Sequence, residues 1–118
     1  MVSAYPQDFP PLQPTPAVPL RIDPEHRRAW IAGEPLYMGY NEFIFLSMLE
    51  IWHARGEPCP RELLYQSIYL GEVTLSDERE ERVYSLASQL RRKLRRIPGQ
   101  PVDIETVWGV GYQLRFHN

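Results

Sequence analysis

Lysine and cysteine are nearly missing from these 118 residues: each occurs once, as Lys93 and Cys59, while arginine supplies the rest of the thirteen cationic side chains. A single thiol excludes a disulfide framework and suits a reducing compartment, so a cytoplasmic location is expected. No apolar run approaches the roughly 18 residues that a membrane span needs. The N-terminus also lacks a basic start followed by an apolar block, so no membrane partner or secretory signal is expected. His26, His53 and His117 stand at no ligand spacing with one another or with Cys59. No glycine-rich phosphate loop and no Ser/His/Asp arrangement stands out. Enzyme activity, a metal and a cofactor are therefore not expected.

What is present fits one domain: 43% hydrophobic and 24% charged residues, ordinary values for a globular chain. The net charge of −2 hides an uneven distribution. From Arg79 to Arg115 eight basic residues face four acidic ones, whereas the remainder holds five basic and eleven acidic. An acidic body carrying one basic segment is the electrostatic outline of a protein that meets phosphate with one face. A solvated basic helix would produce the same imbalance.

Residues 1–19 contain six of the twelve prolines and no basic residue, which reads as a proline-rich tail ahead of a domain at 20–118. LRID, RRAWIA and PLYM alternate in part and are broken by Asp-Pro and Ala-Gly-Glu-Pro, the pattern of a small antiparallel sheet. Gly39 to Arg55 is predicted helical, with Phe43, Leu46, Leu49 and Ile44, Met48, Ile51 at spacings of three and four. Glu42 suits a Gly39 cap, and Gly56 stops the helix. Pro58 and Pro60 are predicted to start a second helix running to about Tyr69, followed by a loop, LGEVTLS. Ser76 with Asp77 and Glu78 then opens a third helix to about Arg96.

The third helix carries most of the information. Val83, Ala87, Leu90 and Leu94 share a narrow arc and are expected to face the core. Opposite lie Glu81, Ser85, Ser88, Gln89, Arg92 and Arg96, with Arg95 beside them. Val102–Val107 and Tyr112–Phe116 form a hairpin across Trp108–Gly111, where Gly109 and Gly111 permit a tight turn and close backbone approach. Sheet, three helices and hairpin make an α+β chain in winged helix-turn-helix order. In that order the third helix, about 77–96, can enter a major groove about 12 Å wide, and the hairpin wing, about 102–116, can lie on the adjacent backbone or minor groove. Short Ser85, Ser88 and Gln89 let the helix approach base edges, while Arg92, Arg95 and Arg96 reach phosphates.

YNEFIFLSML, RELL, ASQLRRKL and IETVWGVGYQL together resemble the effector domain of OmpR/PhoB-type bacterial response regulators over roughly residues 20–116. The resemblance implies sequence-specific binding of double-stranded DNA in transcription regulation. It also implies a candidate RNA polymerase contact at the loop 70–76; a homodimer on DNA is a further candidate partner. Arg91 falls where the family commonly contacts phosphate, and Thr106 and Tyr112 where wing residues hydrogen-bond the DNA backbone. Trp108 occupies a wing position that is often Arg. Upstream, Glu81-Arg82-Val83-Tyr84-Ser85-Leu86 stands in place of the family's Arg-x-Val-Asp-Val-His. No receiver domain precedes the module in this sequence, so regulation by phosphorylation of this chain is not expected.

A second reading is a protein-binding winged helix that docks on RNA polymerase or another regulator. Glu81 on the reading face, the acidic body and the proline-rich tail favour it.

Overall fold

A computed structural model describes residues 19–68 and 76–117, with side chains of the third helix described from residue 81 onward. The proline-rich segment up to residue 18, the loop at 70–75 and the side chain of the Ser76 cap lie outside the described residues.

Three short strands, β1 (Leu20–Asp23), β2 (Arg28–Ile31) and β3 (Glu34–Leu36), form the antiparallel sheet expected near the N-terminus, in the order β1-β2-β3. Helix α1 (Tyr40–Ala54) follows. Its start is fixed as expected: the Gly39 backbone is extended and its amide donates to Glu42 Oε1 at 2.8 Å. Gly56, at φ +77°, ends the helix by donating to the His53 carbonyl at 2.8 Å.

The second helix begins later than expected. Cys59 and Pro60 form a two-residue strand, β4, and α2 runs from Arg61 to Ile68. Sterics explain the difference, because the residue before a proline is pushed out of the α region, and here Cys59 precedes Pro60. β4 pairs with the C-terminal hairpin, Cys59 opposite Tyr112 and Pro60 opposite Gly111. Helix α3 (Ser76–Arg95) leads to β5 (Val102–Val107) and β6 (Gly111–Phe116), and the second sheet has the order β4-β6-β5.

All layers close on one core. Val83, Ala87, Leu90 and Leu94 of α3 are buried as their spacing predicts, against Leu46 and Leu49 of α1, Leu64 of α2 and Ile104 and Leu114 of the hairpin. The α1 stripes fit less cleanly, since Phe45 is fully buried whereas Ile51 is half exposed. Helix α1 is covered on several sides at once, by α2, α3, β4 and β6. A helix packed from several directions buries residues outside any one stripe, so a single stripe cannot describe it.

Cys59 sits inside this core, and burial pushes its thiol up to about 11. Thiolate is the reactive form, so at pH 8 only roughly one thiol in a thousand is ionised. The folded protein should therefore resist iodoacetamide, with labelling appearing only as urea opens the domain. Rapid labelling without denaturant would mean that β4 detaches locally.

Candidate nucleic-acid interface

From residue 81 onward α3 shows two faces. Ser85, Gln89 and Arg92 are exposed and, at steps of four and three, line up along one stripe. Arg96 continues the line just past the last helical residue, and Arg95 is exposed beside it. Ser88 is half-buried at the margin. The outward stripe thus runs from short and neutral to long and cationic along the helix, and Glu81, one turn before Ser85, is exposed on the same side.

Arg91 behaves differently from its neighbours. It is half-buried, its Nε donates to the Ile104 carbonyl at 2.9 Å and its Nη2 to Thr106 Oγ1 at 2.7 Å. The same guanidinium lies 5.9 Å from the centroid of the Tyr112 ring. Tyr112 itself is buried and packs its ring on Phe45, with centroids 5.5 Å apart. Arg91, Thr106 and Tyr112 are therefore brought together as one cluster that fastens α3 to the hairpin, while the Ser85–Arg96 stripe stands apart from it. Bonds of this charge-assisted kind are the stronger class, so the angle between helix and hairpin is well held.

Lys93, the one ammonium, is also turned away from the stripe. Its Nζ meets Glu42 Oε1 at 2.7 Å and the Tyr37 carbonyl at 3.0 Å. Of this basic run, Arg92, Arg95 and Arg96 remain on the outer surface.

The hairpin tip is built from Trp108, Gly109 and Val110. Trp108 is 89% exposed, so it is no lid on the core. Gly109 takes φ +81°, a conformation that favours glycine, and Val110 donates to the Val107 carbonyl at 3.0 Å to close the turn. The Arg61 amide donates to the Val110 carbonyl at 3.0 Å, which braces the tip on the start of α2. Between the tip and α3 lies a cleft of about 300 Å³, walled by Tyr65, Tyr84 and Glu81 on the helical side and by Thr106, Val107 and Trp108 on the other. Tyr65, Tyr84 and the Arg61 brace were not picked out as site features by sequence reasoning. Tyr84 could have been, since helical spacing puts it outside the apolar arc, and it is 62% exposed.

Metal-ligating atoms gather once among the described residues, where Asp23, Glu25 and His26 lie within 4.8 Å of one another in the β1–β2 turn. Asp23 is already engaged there: its Oδ1 accepts from the amides of Glu25 and His26, and its Oδ2 lies 2.9 Å from His26 Nδ1. The hydrogen bond with His26 holds its carboxyl below the ordinary carboxylate range. These hydrogen bonds close the turn.

Residues 33–114 match the family model described as transcriptional regulatory protein, C terminal. The chain is 37% identical over 94 residues to the transcriptional regulatory protein QseB of Escherichia coli O157:H7, spanning 79% of this chain and 38% of that protein. It is 31% identical over 86 residues to the cell cycle response regulator CtrA of Brucella ovis, spanning 72% of this chain and 34% of the relative. The chain thus corresponds to little more than a third of these curated relatives. Among solved structures, the Klebsiella pneumoniae RstA DNA-binding domain, in complex with the RstA box, superposes with a TM-score of 0.64 at 31% identity, over 85% of this chain and 94% of that one.

Proposed function

The chain belongs to the family of transcriptional regulatory protein C-terminal domains, the OmpR/PhoB-type winged helices, and on that premise we propose that it reads a specific double-stranded DNA site. Helix α3 enters the major groove with Ser85, Ser88 and Gln89 towards base edges. Arg92, Arg95 and Arg96 follow the strand as the helix leaves the groove. The hairpin is the wing and meets the adjacent backbone or minor groove with Trp108 and Thr106. The observation that carries this reading is the outward stripe of neutral-then-cationic side chains, set beside a hairpin that Arg91 ties to the same helix. Within it Arg91 and Tyr112 act through position, holding helix and wing at a fixed angle. A cytoplasmic location, a homodimer on DNA and an RNA polymerase contact at 70–76 belong to the same proposal.

Fluorescence anisotropy with selected and random duplexes at several salt concentrations tests it. Phosphate neutralisation releases counterions, so affinity should fall steeply as salt rises. Gln89→Ala should cost about 1–3 kcal/mol on the preferred site and relax one base position, because a Gln amide pairs with the N6 and N7 edge of adenine. Removing Arg92, Arg95 or Arg96 should weaken all duplexes alike and lower the salt slope by about one for each phosphate that is no longer neutralised. If none of the four variants shifts affinity, α3 is not a reading helix.

Glu81 gives a change of opposite sign. It is exposed one turn ahead of Ser85 and repels the same phosphates that the arginines attract. Glu81→Gln should therefore strengthen binding to random duplex, by up to about 1 kcal/mol at low salt and less as salt screens the charge. Unchanged binding at low salt would place Glu81 away from the DNA.

A further inference from the structure

The wing tip has an unusual composition for a surface that meets DNA. Thr106-Val107-Trp108-Gly109-Val110-Gly111 contains no charged residue. The carboxylate just before it, Glu105, is engaged by Gln113 Nε2 and Arg115 Nη1, so the Arg115 guanidinium is held at Glu105, short of the tip. What projects is apolar: Trp108 at 89% exposure and Val110 at 41%. A turn that only reverses the chain is ordinarily polar, and a tryptophan that serves the core is buried. Trp108 does neither.

The mount is also rigid. The turn is closed by the Val110 amide on the Val107 carbonyl, and the Val110 carbonyl is held by the Arg61 amide, each at 3.0 Å. Directly beneath, Gly111 lies so close to β4 that there is no space for a side chain: an added Cβ would stand 1.9 Å from the Cys59 carbonyl oxygen. The indole is therefore carried on a prong that cannot fold back without parting β4 from β6.

We propose that Trp108 is an apolar wedge that leans against a base step in the minor groove, so that the wing senses duplex deformability and not phosphate charge. The inference rests on the DNA-binding reading above and states how its wing engages the duplex. Apolar side chains that enter the minor groove partly unstack a step and kink the duplex, at a cost that depends on the sequence being deformed. Flexible pyrimidine–purine steps yield readily, whereas stiff A-tracts resist. The wing thus contributes specificity without base hydrogen bonds and without adding to the salt dependence.

The test uses end-labelled duplexes containing the selected site, with either a pyrimidine–purine step or an A-tract under the wing. Fluorescence resonance energy transfer reads the bend and anisotropy reads affinity. The wild-type chain should bend the flexible duplex by roughly 20° or more and prefer it to the A-tract. Trp108→Ala should remove the bend and the preference and weaken binding about ten- to a hundredfold, the range expected when a base–aromatic stack is removed. Its salt slope should stay that of the wild type, unlike Arg92→Ala, and Trp108→Phe should keep most of the bend. An alanine variant with wild-type bend and affinity overturns the wedge, as does Trp108→Arg with both intact, because a cation would then suffice. A lowered urea midpoint for Trp108→Ala also overturns it, since the indole would then belong to the fold. Wild-type protein that binds no duplex at all overturns the DNA reading itself, a different failure from binding that ignores Trp108.

Discussion

Gly111→Ala should be among the most damaging single-methyl additions this domain can receive. The new Cβ would stand 1.9 Å from the Cys59 carbonyl oxygen and 3.0 Å from the Arg61 nitrogen. Both neighbours are backbone, so no flexible side chain can swing aside. To make room β4 must leave β6, which breaks the Cys59–Tyr112 pairing and loosens the Arg61 amide from the Val110 carbonyl. The buried Cys59 thiol and Tyr112 ring would shift with them. Overpacking ordinarily costs about 1–3 kcal/mol, and a clash between two backbones belongs at or above the top of that range. A loss of about 3 kcal/mol lowers the melting temperature of a domain this size by roughly 12 °C or more. Gly109→Ala is the control: at φ +81° it carries conformational strain, yet nothing lies within 4 Å of its Cβ. It should cost only about 1–2 kcal/mol. Urea unfolding of both variants decides, and a Gly111→Ala protein no less stable than Gly109→Ala would mean that β4 and β6 are not held together as described.

The same glycine shows where sequence and structure part company. Its closeness to another backbone was legible as a possibility in the Gly-Val-Gly turn, but its neighbour was not. β4 has two residues, too few for any periodicity to register, and its pairing joins positions more than fifty residues apart. By contrast the inner face of α3 was readable in full, because Val83, Ala87, Leu90 and Leu94 repeat at helical spacing and all four are buried. The start of α1 at Gly39 and Glu42 was readable for a similar reason, since a carboxylate that reaches back three residues to the capping amide is a local pattern.

Within the candidate interface, legibility followed side-chain length. Ser85 and Gln89 point where the helical wheel puts them. Arg91 and Lys93 sit beside the buried arc, and a long side chain on that flank can reach inwards or outwards. The choice is made by acceptors from distant segments: the Ile104 carbonyl and Thr106 hydroxyl for Arg91, Glu42 and the Tyr37 carbonyl for Lys93. A cluster of basic residues at the end of a helix therefore looks uniform in sequence and divides in three dimensions. Two of its members hold the fold together, and the arginines left outside are available to phosphate.

That division yields a last expected result, at the single lysine. Glu42 is 7% exposed, and its Oε1 accepts both the Gly39 amide and Lys93 Nζ, at 2.8 and 2.7 Å. Lysine suits the place because an ammonium offers three donors around one point, enough for Glu42 and the Tyr37 carbonyl together. Lys93→Met would keep most of the apolar stem and leave the buried carboxylate with one backbone donor. Breaking a buried pair costs about 3–5 kcal/mol, and the partial exposure of Lys93, 34%, brings the expectation down to about 2–3 kcal/mol. Adding Glu42→Gln should recover part of that loss, because the amide oxygen still accepts from Gly39 and no charge is left buried. A double-mutant cycle in urea measures the coupling. Titrating the Lys93→Met variant with duplex DNA should meanwhile show the wild-type salt slope, although a positive charge has been removed from the basic end of α3. Arg92→Ala, one residue away, should lower that slope by about one if Arg92 touches phosphate. If instead Lys93→Met leaves stability within about 0.5 kcal/mol of wild type and lowers the slope, Lys93 is a DNA contact, and the link between α1 and α3 holds nothing in place.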